Sequence, residues 1–368
     1  MKASSAKHNT GLSAGGAARL WALVLLLLAV FFGSFFLGRY GISPLQLLAM
    51  LAEGLQRALT AVVNWAGRPF GFSVERLFAV PVIWTPVMET IVLNIRLPRI
   101  LMACLVGCCL STAGACYQGV FQNPMAAPDL LGASTGACFG AALAILYGAS
   151  SAMITLSAFG FSLLTVLLVF VIGQRAPGQK TVTLILAGIM VSSLFSAGTS
   201  YIKLVADPTN QLPAITYWLM GSLSGTRMQD VAFALLPMAA GLIPLLLLRW
   251  RINLLTLDEE EARSMGVNAT ALRLVVILCA TVLTAASVSV SGMIGWVGLV
   301  IPHLSRKLVG NDCRRLLPAA MLLGAIFLLL VDNVSRNLLA VEIPIGILTA
   351  FIGAPFFIYL MTRKEHVL

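Results

Sequence analysis

The sequence has little charge. Only 10% of its 368 residues are Asp, Glu, Lys or Arg, whereas 59% are hydrophobic. A soluble domain carries about 25% charged residues, enough to cover its surface with groups that water solvates. A chain this poor in charge has more apolar surface than one soluble globule can bury, so we expect lipid to be its solvent.

Histidine is equally scarce, because only His8, His303 and His366 are present. The long apolar runs also hold almost no Asp or Glu near their middles. Proton-coupled transporters relay protons through buried Asp, Glu or His side chains. The composition therefore disfavours a secondary, ion-coupled transporter, which stays open as the alternative function.

Cysteine offers no metal or disulfide chemistry. Six of the seven cysteines lie inside apolar runs, without the paired spacing of a disulfide framework or a zinc site. Cysteine packs well as a small hydrophobic residue. We therefore predict no metal site and no cofactor from Cys104, Cys108, Cys109, Cys116, Cys138, Cys279 and Cys313.

The net charge of +10 does not indicate nucleic-acid binding. The Lys and Arg residues lie between apolar runs and form no continuous basic stripe. This placement is typical of the positive-inside bias of membrane proteins.

Long runs with almost no charge predict the membrane spans, since about 20 apolar residues cross the hydrocarbon core. They indicate an all-α, polytopic integral membrane protein with one domain over residues 20–362. The ten predicted spans are 20–38, 100–128, two within 130–174 with a turn near Gly148–Ser151, 181–202, 231–248, two within 274–305 with a break near Ser291 and Gly292, 316–331 and 343–362.

An even number of spans puts both ends of the chain on one side. That side would hold 15 of the 24 Lys and Arg residues, so the tails 1–19 and 363–368 are predicted to be cytoplasmic. The loop 249–273 then lies in the cytoplasm, and the long loop 39–95 lies outside. Within the outer loop, Pro44–Trp65 mixes apolar and polar residues, which predicts an amphipathic helix along the membrane interface.

Residues Gly132–Gly136 match the G-x-S-x-G pattern of hydrolase nucleophile elbows. An elbow needs a preceding strand and a nearby His base, and neither is expected here. Gly132, Gly136 and Gly140 also recur every four residues, a spacing that lets two helices approach closely. We interpret Ser134 as a packing residue, and an intramembrane hydrolase is disfavoured.

The cytoplasmic loop 249–273 contains the signals of a short helix. Thr256 and Glu259 form a capping box, and Gly266 suits a C-terminal cap. A solvated connector remains the alternative for this segment.

Three arginines on the outer side run against the positive-inside trend. Arg96 and Arg99 flank Pro98, and Arg336 lies between the last two spans. Snorkelling at a span end is one explanation. The other, which we favour, is docking of an acidic partner.

Several motifs occur in a characteristic order: Arg96–Arg99 (RLPR), Gln122–Gly136 (QNPMAAPDLLGASTG), Leu186–Gly188 (LAG), Tyr217–Ser222 (YWLMGS), Glu260–Arg263 (EEAR), Gly298–His303 (GLVIPH), Glu342–Gly346 (EIPIG) and Gly353–Phe357 (GAPFF). With these motifs the chain resembles the FecCD family, the permease subunits of ATP-binding-cassette importers for iron–siderophores, haem and vitamin B12. The resemblance covers about residues 90–362, and the first span loosely.

The resemblance implies a ten-helix type II importer permease in the cytoplasmic (inner) membrane. Such a permease is not an enzyme, because two separate cytoplasmic ATPase subunits hydrolyse ATP. It pairs with a second permease, as a homodimer or a sister heterodimer, and receives its cargo from an external binding protein. Iron chelate or haem is the expected cargo, ahead of vitamin B12.

The resemblance also implies roles for individual residues. Binding-protein docking would involve Arg96, Arg99 and Arg336. Coupling to the ATPase would involve Leu257, Glu259, Glu260, Glu261, Ala262, Arg263 and Gly266. The cytoplasmic gate would lie at Lys180, Thr181, Val182 and Thr183, and the pathway would be lined by Ser193, Ser196, Thr199 and Ser200.

The chain departs from the family pattern in three places. Ala127 stands where the family often has an acid, and Asp129 follows two residues later. Met293 takes a position that is commonly proline, so we expect a softer break there. The outer loop is longer than usual, which would alter how a binding protein docks.

Overall fold

A computed structural model describes residues 10–38, 40–68, 72–77, 80–175, 180–256 and 265–362, and within these ranges the chain forms helices without any strand. The α-helices are α1 Thr10–Phe36, α2 Pro44–Gly67, α3 Pro86–Glu89, α4 Leu97–Val120, α5 Ala133–Leu146, α6 Ser151–Arg175, α7 Lys180–Val205, α8 Gln211–Leu219, α9 Met228–Ile252, α10 Ala269–Ser291, α11 Val297–Val309, α12 Cys313–Asn337 and α13 Ile345–Thr362. A π-helical segment, Thr90–Arg96, joins α3 to α4, and 3₁₀ turns lie at Pro128–Leu131 and Asn253–Thr256.

The all-α membrane fold is confirmed. Among the described residues, seven helices are long and apolar enough to cross a bilayer, and α5 and the first part of α13 are shorter apolar helices. The helix α11 has only 13 residues, fewer than the roughly 20 that a full span requires. The number of spans, ten, therefore stays a prediction.

The helix α4 forms the centre of the bundle and is buried along most of its length against α9, α10, α11 and α12. Glycines permit its closest contacts. A methyl group on Gly107 would lie 2.2 Å from the carbonyl oxygen of Gly324, and one on Gly114 would lie 1.8 Å from that of Gly298. The backbones of α4, α11 and α12 therefore touch directly at these glycines.

Glycines also join α5 to α6. A methyl group on Gly136 would lie 2.0 Å from Oγ1 of Thr165, and one on Gly140 would lie 2.6 Å from the carbonyl oxygen of Ser157. The packing interpretation of this glycine repeat is confirmed. The turn between the two helices falls at residues 147–150, where the sequence predicted it.

The predicted break near Gly292 is also present, between the end of α10 and the start of α11. Gly292 has a φ of 67° and Trp296 a φ of 71°. The left-handed region suits glycine but is rare for a bulky residue, so the backbone at Trp296 is strained. Met293 therefore lies in a full break between two helices rather than in a softened bend.

Two further helical elements complete the fold. The predicted amphipathic helix is present as α2, and Ser43 caps it in a reciprocal capping box with Gln46. The helix α8 was not predicted, because its nine residues include Pro213 and make no long apolar run.

Candidate translocation site and its coupling elements

A buried ion cluster fastens the start of α4 to the end of α12. Arg99 donates from Nε to Oδ1 of Asp332 at 2.9 Å and from Nη1 to Oε1 of Glu342 at 2.8 Å. Nε of Arg336 lies 3.2 Å from the other carboxylate oxygen of Asp332. The side chain of Asp332 is fully buried, so one carboxylate serves two arginines inside the protein.

Arg96 is satisfied by backbone carbonyls instead of carboxylates. Its guanidinium group donates to the carbonyl oxygens of Phe35 and Tyr40, at the end of α1 and in the loop that follows. Only 5% of Arg96 is exposed. Arg96 therefore ties the chain between α1 and α2 to the start of α4.

These contacts place the side chains of Arg96, Arg99 and Arg336 largely inside the protein. The guanidinium groups are largely buried because acceptors lie within reach in the same chain. The sequence contained one signal of this arrangement, since Asp332 lies inside an apolar run four residues before Arg336. A role of the three arginines in docking stays a prediction.

The ends of three helices meet at one junction. The Ser222 N–H donates to the Ser291 carbonyl, and the Ile345 N–H donates to the Gly221 carbonyl, each at 2.8 Å. A methyl group on Gly346 would lie 2.3 Å from the carbonyl oxygen of Met220. The motifs around Gly221, Gly292 and Gly346 therefore build one junction between the ends of α8 and α10 and the start of α13.

A cavity of about 830 Å³ opens beside this junction, between the Asp129 turn, α7, α8 and α13. Its lining is mostly apolar and includes Trp296 and Phe351, and its charged residues are Asp129 and Lys203. Asp129 and Trp296 also line a neighbouring cavity of about 240 Å³. Asp129 lies two residues after the departure from the family pattern at Ala127, and nothing in the sequence indicated that it lines a cavity.

Ser134 lies beside this cavity but lacks the setting of a nucleophile. It is 3% exposed, and its hydroxyl donates to Oδ1 of Asp129. A 3₁₀ turn rather than a strand precedes it. The geometry therefore agrees with a packing role.

The predicted lining residues of α7 divide into two groups. Ser193, Ser196 and Ser200 lie on one exposed face, three and four residues apart. Thr199 is only 8% exposed and donates to the Phe195 carbonyl within the helix. Thr199 therefore does not share the exposed face, and its role in lining a pathway stays a prediction.

The predicted cytoplasmic gate falls on the first turn of α7. The helix begins at Lys180, and Val182 is 48% exposed whereas Thr183 is half-buried. Farther along α7, a methyl group on Gly188 would lie 2.1 Å from the carbonyl oxygen of Leu130. This close contact joins α7 to the turn at Pro128–Leu131.

Most of the predicted coupling helix lies outside the described residues, namely Leu257, Glu259, Glu260, Glu261, Ala262 and Arg263. Gly266 is described, and it lies in a turn before α10 with a φ of 76°. That conformation suits the predicted C-terminal cap.

The start of the loop 249–273 is hydrogen-bonded to the start of α12 and to the end of α4. Asn253 donates from Nδ2 to Oδ1 of Asp312 at 2.7 Å and accepts the Cys313 N–H at 2.8 Å. Gln122, just past the end of α4, donates to the Leu255 carbonyl at 3.0 Å. Asn253 and Gln122 were not predicted from the sequence as anchors of this loop.

The charge of Asp312 is stabilised at this anchor. Burial raises the pKa of its carboxyl group, but the Arg314 backbone N–H and the Asn253 amide donate to it, and the charges of Arg314 and Arg315 lie nearby. The net effect lowers the pKa below its ordinary value. The carboxylate therefore stays ionised at neutral pH.

Comparison with known proteins identifies the family to which this arrangement belongs. Residues 25–363 match the model of the FecCD transport family. The chain belongs to the FecCD transport family. Members of this family are permease subunits of ATP-binding-cassette transporters, so this chain is a multi-pass membrane permease rather than an enzyme, and a separate ATPase hydrolyses ATP.

Individual relatives cover most of the chain. It is 41% identical over 316 residues to the molybdate import permease MolB of Haemophilus influenzae, covering 84% of this chain and 93% of MolB. It is 42% identical over 280 residues to a probable iron chelatin permease of Helicobacter pylori, covering 76% and 85%. A solved inward-facing structure of a metal-chelate type transporter matches 93% of this chain and 98% of its own, at 39% identity and a TM-score of 0.78.

Proposed function

We propose that this permease imports an iron chelate (a siderophore complex) or haem, with vitamin B12 the less favoured cargo. It belongs to the same family as permeases named for iron chelatin and for molybdate, at 42% and 41% identity. Overall similarity therefore separates these cargoes poorly. The observation that carries the proposal is the open, mostly apolar cavity of about 830 Å³ beside the junction of three helix ends, which suits a bulky chelate.

The partners of this importer would be two cytoplasmic ATPase subunits, a second permease and an external binding protein. The face of α7 supports the second permease, because Leu194, Tyr201 and Leu204 are 70%, 65% and 81% exposed together with the serines. A pathway between two such faces would be lined by small polar and apolar groups.

Both termini would lie in the cytoplasm, as the Lys and Arg distribution predicts.

Coupling would run through contacts that form a continuous chain. The ATPase would move the loop around residues 257–266, and Leu255 would transmit this movement to Gln122 at the end of α4. The following turn at Pro128–Leu131 packs on Gly188 of α7. Movement of that turn would therefore reach the gate at Lys180–Thr183, closing or opening the cytoplasmic side.

Binding-protein docking at the outer end remains part of the proposal in a modified form. Arg336 keeps 11% of its side chain exposed, and the side chain of its neighbour Glu342 in the cluster keeps 35%. Docking of acidic residues would then compete with Asp332 and Glu342 for the arginines. This competition would link docking to the contact between α4 and α12.

Reconstitution tests the proposal. The purified permease would be combined in proteoliposomes with its partner ATPase and binding protein, and uptake of a ferric siderophore, haem, molybdate and cobalamin would be compared. We expect uptake of a ferric siderophore or haem that requires ATP and the binding protein and persists with a proton uncoupler. Uptake driven by a proton gradient without ATP would support the secondary transporter instead, and exclusive uptake of molybdate would overturn the proposed cargo.

A further inference from the structure

The helix α2 turns an apolar face away from the rest of the protein. Its inner face buries Glu53, Gln56 and Thr60, which are 4%, 1% and 8% exposed, together with Leu47 and Met50. Its outer face carries an apolar ridge that is between 42% and 73% exposed, formed by Leu45, Leu48, Leu55, Leu59, Val62 and Trp65. A helix in contact with water would carry polar residues on its exposed face.

Specific polar contacts fix this orientation. Arg57 pairs with Glu53 at 2.8 Å and with Glu89 at 2.6 Å, which ties α2 to the turn before the π-helical segment. Farther along, Asn64 donates to the Val74 carbonyl at 3.0 Å and accepts its N–H at 2.8 Å. Turning the ridge inward would break all these contacts, so the apolar face is held outward.

The ridge lies next to a surface that must meet lipid. The helix α1, a candidate membrane span, exposes Trp21, Leu25 and Phe32 along its length. Only seven residues separate the end of α1 from the start of α2, and Arg96 binds the Phe35 and Tyr40 carbonyls of this connection. The ridge therefore begins where the lipid-facing surface of α1 ends.

We propose that the outer ridge of α2 lies in the outer leaflet of the membrane, with the 24-residue helix running along the interface. No charged side chain lies among the six ridge residues, and an apolar surface of this extent marks a membrane or protein contact. The exposed Arg68 and Arg76 lie beyond its C-terminal end, where they can reach lipid phosphates. Continuity with α1 favours lipid over a second copy of this chain or a soluble binding protein.

This position would give the long outer loop a function. Because α2 packs on the segment that leads into Arg96 and Arg99, a helix held in the leaflet would fix the height of the outer end of α4. The buried ion cluster would then keep the same level in the membrane while the cytoplasmic side moves.

Spin-label accessibility tests the proposal on the full chain in lipid nanodiscs. Leu48→Cys, Leu55→Cys and Val62→Cys place labels on the ridge, and Ser73→Cys places a matched control on the exposed segment after α2. The parent chain, labelled identically, supplies the signal of the native cysteines for subtraction. We expect collisions with oxygen relative to a water-soluble nickel chelate to be several-fold more frequent at the ridge than at residue 73.

Two results would overturn the proposal. Nickel-chelate accessibility at the ridge equal to that at residue 73 would show a ridge in water. Spin–spin broadening between ridge labels that disappears on dilution with unlabelled permease would show a second copy in place of lipid. Neither result would contradict the proposed import function, because the accessibility of α2 is measured without any transport assay.

Discussion

Arg99 and Asp332 lie 233 positions apart, and Nε of the arginine donates to Oδ1 of the aspartate at 2.9 Å. Both side chains are buried, and Arg336 contacts the same carboxylate. Removing one member of a buried ion pair leaves the other charge without a partner, which costs more than the pair contributes. This pair should therefore determine whether α4 and α12 stay together at their outer ends.

Replacing the shared carboxylate should strongly destabilise the permease. Asp332→Asn leaves the guanidinium groups of Arg99 and Arg336 buried beside a neutral amide, so we expect the free energy of unfolding to fall by about 3–5 kcal/mol. Thermal unfolding of the purified permease in detergent measures this. Glu342→Gln is the matched control, because its side chain is 35% exposed and a solvated pair contributes up to about 1 kcal/mol. Equal, small effects of both substitutions would contradict a structural role for the cluster.

Docking by the outer arginines can be separated from their structural role. Arg336→Gln should weaken binding of the external binding protein about tenfold, or about 1.4 kcal/mol, and the effect should shrink as salt rises. Affinity for the purified binding protein at low and high salt provides the measurement. The control is Arg96→Gln, which loses contacts to the Phe35 and Tyr40 carbonyls and should lower thermal stability before any partner is added. If the Arg336→Gln permease bound the binding protein with unchanged affinity at low salt, Arg336 would have no role in docking.

A methyl group at the centre of the bundle should be poorly tolerated. Gly114→Ala places a carbon 1.8 Å from the Gly298 carbonyl oxygen, so α4 and α11 must separate. We expect the free energy of unfolding to fall by about 1–3 kcal/mol or more. Gly160→Ala is the control, since nothing lies within 4 Å of a methyl group there, and its effect should stay within about 1 kcal/mol. Thermal unfolding measures the stability of both variants. Equal stability of the two would show that α4 and α11 can separate without loss of stability.

The sequence predicted those parts of the fold that depend on local chemistry. The turn between α5 and α6 and the break after α10 follow from the length of the charge-free runs and from their glycines. The short helix α8 escaped prediction, because nine residues with an internal proline form no long apolar run. Its place in the fold is set by long-range contacts, such as the bond from the Ile345 N–H to the Gly221 carbonyl.

The candidate site was harder to predict, because its contacts join distant positions. Arginine patterns indicated the outer ends of spans, but only the folded chain shows Asp332 and Glu342 beside Arg99. Likewise, small polar residues marked α7 as a pathway helix, whereas the orientation of the helix decides that Ser196 is exposed and Thr199 is buried. Residue type indicated the chemistry, and tertiary packing selected which residues are accessible.

Ala262 tests whether the cytoplasmic loop couples to an ATPase. A helix seated in a cleft tolerates little extra volume, so Ala262→Arg should abolish ATP-dependent uptake in proteoliposomes while membrane insertion and pairing of permeases stay normal. Ser150→Arg, on the exposed turn between α5 and α6, is the control and should transport normally. Normal uptake by Ala262→Arg would show that the loop is a solvated connector.

Asn253 should transmit the movement of that loop rather than bind the ATPase itself. Asn253→Ala removes two hydrogen bonds, the one to Oδ1 of Asp312 and the one from the Cys313 N–H, and so releases the loop from the start of α12. We expect the ATPase to remain bound and to hydrolyse ATP, while the number of cargo molecules imported per ATP falls several-fold.

Parallel assays of ATP hydrolysis and uptake in the same proteoliposomes measure this ratio. Asn253→Asp is a second variant for comparison, because its carboxylate can still accept the Cys313 N–H but would repel the ionised Asp312. The number of cargo molecules imported per ATP should therefore fall in this variant as well. It should recover partly when Asn253→Asp is combined with Asp312→Asn, which restores one hydrogen-bond donor to the pair. If Asn253→Ala lowered hydrolysis and uptake equally, Asn253 would act by holding the ATPase in place rather than by transmitting the movement of the loop.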